Sequence, residues 1–266
     1  PAVRDARAHL EPLLARDGAT GAVARSAGRP VAYLIGHPVG EDAIEVGLAG
    51  HAAAEPEVAR DLYAHLAQGW VDAGRRRHTV YVPAHDRELV DAWFRLAFGL
   101  QFSFAVREVS PEPPFDAGVT IRPGRPDDLP AAAALESSLW EHQVRSPSFS
   151  GVDVPAPAVF AADWADTWSD PAFAHFVAEI EGRIAGQALL YVRPTGDLRV
   201  PARAIDLAQA ETLPELRGRG IGRALFAHAM NWAHEHGYEA MTSDWRSVNL
   251  LASRFWARRG FRPTFH

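Results

Sequence analysis

The segment Leu213-Pro-Glu-Leu-Arg-Gly-Arg-Gly-Ile-Gly-Arg-Ala-Leu225 gathers residue types that hold an anion. Gly218, Gly220 and Gly222 interrupt a run of arginines, and an apolar-periodic helix begins directly afterwards. A glycine turn that opens a helix presents unpaired backbone N–H groups at the positive end of the helix dipole, where phosphate binds well. Glycine also lets the backbone approach the ligand with no Cβ in the way. Arg217, Arg219 and Arg223 add charge around the same point. The spacing is neither the GxGxxG of a dinucleotide site nor the lysine-containing P-loop. Just upstream, Ala204-Ile-Asp-Leu-Ala-Gln-Ala-Glu-Thr-Leu213 carries two carboxylates, Asp206 and Glu211, that are able to take a proton from a nucleophile. On an ideal strand they face opposite ways, and a bulge between them would change that count.

These groups need a strand before the turn and a helix after it, and the pattern predicts both. In the second half, helices are expected at 129–145, 220–236 and 248–259. Strands are expected at 119–122, 174–181, 183–193, 204–213 and 238–245, with a last one from Phe261. Residues 149–168 read as an aromatic-rich irregular stretch. In the first half, strands are expected at 21–25, 31–37, 43–49 and 79–82, and helices at 57–73 and 86–98. The halves share a pattern. Leu62-Tyr-Ala-His-Leu-Ala-Gln-Gly-Trp70 is similar to Leu225-Phe-Ala-His-Ala-Met-Asn-Trp232, and Gly74 answers Gly237. Trp93-Phe-Arg-Leu-Ala-Phe-Gly-Leu100 answers Arg254-Phe-Trp-Ala-Arg-Arg-Gly-Phe261. Each copy reads helix, strand, helix, glycine, strand, a mixed α/β pattern. The proline-rich segment Val109-Ser-Pro-Glu-Pro-Pro-Phe-Asp-Ala-Gly118 reads as the connection between them. The expected domains are therefore 1–112 and 119–266. The first copy starts almost directly in a helix and is expected to lack its opening strand.

Composition bounds the chemistry. The 266 residues are 47% hydrophobic and 23% charged, which fits two packed domains rather than a disordered chain. The net charge of −6 argues against a dedicated nucleic-acid binder. No apolar run approaches the ~18 residues that a membrane span needs. There is no cysteine, which excludes disulfides, thiolate zinc sites and a cysteine nucleophile. There is no lysine either, which removes a Schiff-base lysine and a P-loop lysine from consideration. Pro1 is not followed by a basic-then-apolar leader, and a cytoplasmic setting is expected. No metal is expected: His234 and His236 sit at a helix end without further ligands nearby.

Arg217-Gly-Arg-Gly-Ile-Gly222 resembles the R/Q-x-x-G-x-G/A signature of the GNAT superfamily of N-acetyltransferases. Asn249-Leu-Leu-Ala-Ser-Arg-Phe-Trp-Ala-Arg-Arg-Gly-Phe261 resembles that family's second segment, N-x-x-A-x-x-F-Y-x-x-x-G-F. The two motifs occur in the family's order and on the expected elements. The whole chain looks like a tandem GNAT protein of the actinobacterial kind, with 1–112 as a degenerate copy and 119–266 as the acetyl-CoA-binding one.

The resemblance implies two tandem acyl-CoA N-acyltransferase folds and acetyl-CoA as co-substrate. The pyrophosphate would rest on Gly218, Gly220, Ile221 and Gly222, among Arg217, Arg219 and Arg223. A backbone N–H of Thr212 or Leu213 would polarise the thioester carbonyl, and Asn249 would touch the CoA arm. Asp206 matches the family's general-base position, with Glu211 as the second choice. Trp256 stands where the family usually has a tyrosine that protonates the leaving thiolate, and Tyr191 is a substitute on a neighbouring strand. Trp140, His142, Trp164, Tyr191, Trp245 and Trp256 are the expected acceptor-binding residues. The expected activity is acetyl transfer to a small-molecule or peptide amine by direct attack. A non-catalytic acyl-CoA sensor and an O-acyltransferase are the alternatives. The first copy has Ala52-Ala-Ala-Glu-Pro-Glu-Val58 at the pyrophosphate position and is expected to bind no CoA. As an internal pseudo-dimer the chain is expected to act as a monomer, with a homodimer as the alternative. No nucleic-acid or membrane partner is expected.

Overall fold

A computed structural model describes residues 3–147, 149, 153–168, 170–193 and 197–266, with side chains from residue 6 onward. The chain divides into Pro1–Leu100 with Thr264–His266, and Gln101–Pro263. No helix among the described residues is long and apolar enough to cross a membrane.

The first unit contains α1 (Val3–Leu14), β1 (Thr20–Ser26), β2 (Arg29–Val39), β3 (Ala43–Val46), β4 (His51–Ala53), α2 (Pro56–Asp72), β5 (Arg77–Val80) and α3 (Arg87–Phe94). The sheet runs β1-β2-β3-β5, with β4 also on β2. β3 pairs parallel with β5, and the others are antiparallel. Pro56 starts α2 at a position that needs no N–H donor, and Ala59, Leu62 and Trp70 bury one side of it. Gly36 makes room for that helix: a Cβ there would lie 2.7 Å from the Trp70 ring. Trp70 Nε1 donates to Thr20 Oγ1 at 2.7 Å, which ties α2 to β1.

The second unit contains β6 (Phe102–Glu108), β7 (Thr120–Pro123), α4 (Leu129–Val144), α5 (Pro157–Trp164), β8 (Phe173–Ile180), β9 (Arg183–Tyr191), β10 (Ala204–Thr212), α6 (Ile221–Glu235), β11 (Ala240–Arg246) and α7 (Leu250–Arg258). Within this unit the strand order is β6-β11-β10-β9-β8-β7. β6 pairs antiparallel with β11 along its whole length, so the units divide before the proline-rich segment rather than within it. The backbone of Val82 and His266 exchanges two bonds of 2.8 Å within the first unit. The elements expected from sequence are present with small shifts at their ends. Two elements lie outside the expected set: β4, and α5, a helix inside the stretch read as irregular. Pro157 sits at the first turn of α5, where proline is tolerated.

One detail of the sheet shapes the site. β10 and β11 pair in parallel only over Ala204–Asp206 and Ala240–Thr242. The β10–β9 register then shifts between Leu207 and Gln209. A bulge bends a strand and increases its twist, and the far half of β10 leaves β11, opening a slit through the sheet. α6 covers one face: Gly186 lets Leu225 and Ile221 come within 3.2 and 3.4 Å of where a Cβ would be. Ala132 of α4 lies over the other, where its carbonyl accepts from Gln187 Nε2 at 3.2 Å.

Candidate active site

The glycine turn is built as its residue types require. Gly218 and Gly220 have φ of 80° and 87°, values that strain any residue with a Cβ. Gly220 is the N-cap of α6 and has no side-chain cap, and the first intrahelical bond runs from Ala224 N–H to Gly220 O. The N–H groups of Ile221, Gly222 and Arg223 therefore have no acceptor within the helix. Gly222 is an open position: a Cβ there would meet Phe255 at 3.6 Å and Thr212 Oγ1 at 3.8 Å, ordinary contact distances. Such a cradle fits the diphosphate of a CoA-type ligand.

The cradle opens into a cleft of about 490 Å³ along the slit. Ala210, Glu211 and Thr212 form one wall, and Asn249, Ala252, Phe255 and Trp256 form the other. Ser138, Leu139 and His142 of α4 close the inner side. Leu213 N–H bonds Ala185 O at 3.0 Å. In an antiparallel ladder the bonded groups alternate, so the N–H groups of Thr212 and Ala210 turn away from β9 toward the slit. Leu213 is thus a correction to the expected pair of carbonyl-polarising donors: its N–H is already spent on Ala185, whereas the Thr212 N–H faces the slit. Asn249 caps α7, accepting from Ala252 N–H at 3.1 Å, and its Oδ1 also accepts from His142 Nε2 at 3.2 Å. His142 and Asn249 therefore bridge α4 and the start of α7.

The carboxylates are distributed differently from the sequence reading. The bulge places Asp206 opposite Tyr191 and Glu211 opposite Gln187, residues four apart on β9 and so on one face. Glu211 is buried against Glu136 of α4. Burial first, and the Glu136 charge second, push its pKa well above the usual carboxylate value. Trp140 Nε1 donates to Glu136 at 2.9 Å on the other side. Glu211 also lines the cleft. Asp206 is only 1% exposed. Arg193 Nη2 donates to it at 2.9 Å and Thr242 Oγ1 also donates to it. Its oxygens are already engaged, which corrects the expectation that Asp206 reaches an incoming amine.

Asp244, two residues beyond Thr242 on the same face of β11, is the carboxylate that sequence reasoning missed. Its side chain is 29% exposed, and its contact with Arg193 is a long 3.5 Å. Burial, then the Asp206 charge, pushes its pKa up to about 6, although Arg193 and Arg199 pull the other way. Tyr191 of β9 also faces this group, stacked on Phe173 at 5.5 Å with the Arg193 guanidinium 5.5 Å from its ring centre. Burial raises the Tyr191 pKa, which makes it a poorer proton donor. The strand repeat placed Asp244 within a predicted strand, but only the register showed that Asp206, Thr242 and Asp244 share one face.

The other expected acceptor residues separate into groups. Trp140 and Trp164 each lie tilted against Phe160 with centroids 6.2 Å apart, a ring contact joining α4 and α5. Trp256 is buried against Phe226, Phe255 and Phe261 and also lines the cleft. Trp245 is 8% exposed in the hydrophobic core and does not line the cleft, so its expected acceptor role is corrected to packing. Arg217 and Arg223 line the cleft, whereas Arg219 is exposed outside it.

Residues 137–261 match the acetyltransferase (GNAT) family. That match lies wholly within the second unit, and the fold of the chain is that of tandem GNAT proteins. Streptothricin acetyltransferase from Streptomyces lavendulae is 29% identical over 159 residues, covering 53% of this chain and 80% of that protein. A tandem GNAT protein from the clavulanic acid biosynthesis pathway superposes with a TM-score of 0.55 at 17% identity, over 94% of this chain and 82% of that one. A GCN5-related N-acetyltransferase from Sphaerobacter thermophilus gives 0.59 at 16% identity, over 97% and 82%. At these identities the two structures speak to the fold.

Proposed function

We propose that the chain is an acetyl-CoA-dependent N-acetyltransferase with its active site in the second unit. The observation that carries this reading is the uncapped, glycine-built N-terminus of α6 opening onto a slit that ends where β10 and β11 part. Acetyl-CoA supplies an activated acyl group as its thioester. The N–H groups of Ile221, Gly222 and Arg223 hold its diphosphate, and the N–H of Thr212 supports the carbonyl oxygen as it gains charge. Asp244 accepts the proton of the amine as nitrogen bonds to the carbonyl carbon and the C–S bond breaks. A base with a pKa near 6 is ionised at neutral pH and still basic enough to assist. Positioning supplies much of the remaining acceleration.

Among the described residues the first unit has no equivalent cradle. At the start of α2, Glu55 is the N-cap, and Glu57 lies in the first turn, paired with Arg60 at 2.7 Å and Arg95 at 2.5 Å. Carboxylates at this point repel a diphosphate, so one CoA per chain is expected. The acceptor is a small-molecule or peptide amine. Streptothricin, named for the relative from Streptomyces lavendulae, is the first to try.

The test is release of free CoA thiol from acetyl-CoA with streptothricin, spermidine and a peptide α-amine. Saturable release with at least one of them, giving a product stable to mild alkali, is the expected result. Binding of acetyl-CoA with no release by any amine would mark a binding module, and an alkali-labile product would mark transfer to a hydroxyl.

A further inference from the structure

The outer end of the cleft holds more positive charge than a diphosphate cradle needs. Arg258 and Arg259, at the end of α7, line the cleft together with Arg223 across from them. Arg259 is the hinge of this group. Its guanidinium lies 4.9 Å from the Phe255 ring centre, its carbonyl accepts from Arg107, and its Nε is buried with no hydrogen-bond partner among the described residues. It also lines a second hollow of about 520 Å³ on the far side, with Arg107, Arg258 and Arg262. Burial first, then the charges of Arg223, Arg107 and Arg258, lower its pKa, while Glu112 opposes them. Glu112 is itself bonded to Arg107, and Arg262 is bonded to Glu108 at 3.3 Å. The acids nearby are therefore already paired.

Cations at a helix C-terminus complement the helix dipole. That explains a basic residue at the end of α7, but not a buried Nε without an acceptor. Three guanidinium groups that line one cleft, with the acids nearby already paired to other arginines, make a site shaped for a doubly charged oxyanion. The CoA reading places the diphosphate on the start of α6, and beyond the diphosphate CoA carries one more phosphate, a monoester on the ribose.

We propose that Arg259, supported by Arg258 and Arg223, binds the ribose 3′-phosphate of CoA and makes the enzyme select CoA over its dephosphorylated form. This rests on the CoA reading of the cleft. It adds a second phosphate subsite, formed by the end of α7, to the one at the start of α6.

Calorimetric titration of the full chain with CoA and with 3′-dephospho-CoA tests it, and the wild-type comparison needs no variant. Charge-assisted hydrogen bonds contribute about 1.5–3 kcal/mol, so CoA should bind roughly ten- to a hundredfold more tightly. Arg259→Gln should bring CoA down to the affinity of the dephospho form and leave the latter unchanged. Equal wild-type affinity for the two ligands overturns the proposal while leaving the CoA reading intact. Equal weakening of both in Arg259→Gln overturns it as well, because Arg259 would then serve the cleft in general. Failure of both ligands to bind overturns the CoA reading and this proposal with it.

Discussion

Gly222→Glu should abolish acetyl-CoA binding without unfolding the protein. Gly222 lies inside the first turn of α6, and a Cβ there meets only Phe255 and Thr212 at ordinary distance. The new carboxylate would stand in the diphosphate cradle. Two unit charges about 4 Å apart at a surface-like dielectric repel by about 4 kcal/mol, which is roughly a thousandfold in affinity. The fold should respond in the opposite direction. Replacing glycine within a helix gains up to about 1 kcal/mol, and an acid in the first turn complements the dipole. Thermal unfolding should therefore show an unchanged or higher midpoint, while titration shows no binding. Gly220→Glu is a poorer probe. With φ of 87° and Phe115 Cε1 only 2.4 Å from the position of a Cβ, any side chain there disturbs the turn itself. A Gly222→Glu variant that keeps its affinity would remove the diphosphate from this turn.

Asp244→Asn should lower kcat by about a hundredfold or more, the ordinary contribution of a general base. The measurement is thiol release against pH with the best amine found. Wild-type turnover should rise through about pH 6 as Asp244 ionises. The variant should lose that limb, with KM for acetyl-CoA little changed. Stability provides a separate sign. A carboxylate whose folded pKa is raised stabilises the fold below its unfolded value, and that stabilisation is lost as pH rises through the folded pKa. Asp244→Asn should therefore raise the unfolding midpoint at pH 7–8 relative to wild type. Asp206→Asn should lower it, because the amide offers one acceptor oxygen where Arg193 and Thr242 use two, and Arg193 loses its buried counter-charge. If Asp206→Asn removes the pH 6 limb and Asp244→Asn does not, the two roles are reversed.

The contrast between these residues shows what the sequence made legible. The glycine turn and the helix that follows carry their own signals, because positive φ and apolar periodicity are local properties. The repeat revealed two copies of one pattern for the same reason. The carboxylates were different. Asp206 occupies a strand position from which a base is expected, but its burial and its partners depend on Arg193, from the end of the neighbouring strand, and on Thr242 in β11. Glu211 changed face through a single bulge between Leu207 and Gln209. The unit boundary was displaced likewise: β6 joins β11 by long-range pairing, which no local composition announces. Trp245 and Trp256 look alike in sequence, and only packing separates the one enclosed in the core from the one that also lines the cleft.

The central claim is that one CoA-dependent site operates per chain, at the start of α6. Calorimetric titration of the wild-type protein with acetyl-CoA tests it most directly. The account predicts saturable binding at one acetyl-CoA per chain. Two per chain would mean that the first unit also holds CoA despite Glu55 and Glu57 at its turn, and no binding would contradict the assignment of the cleft.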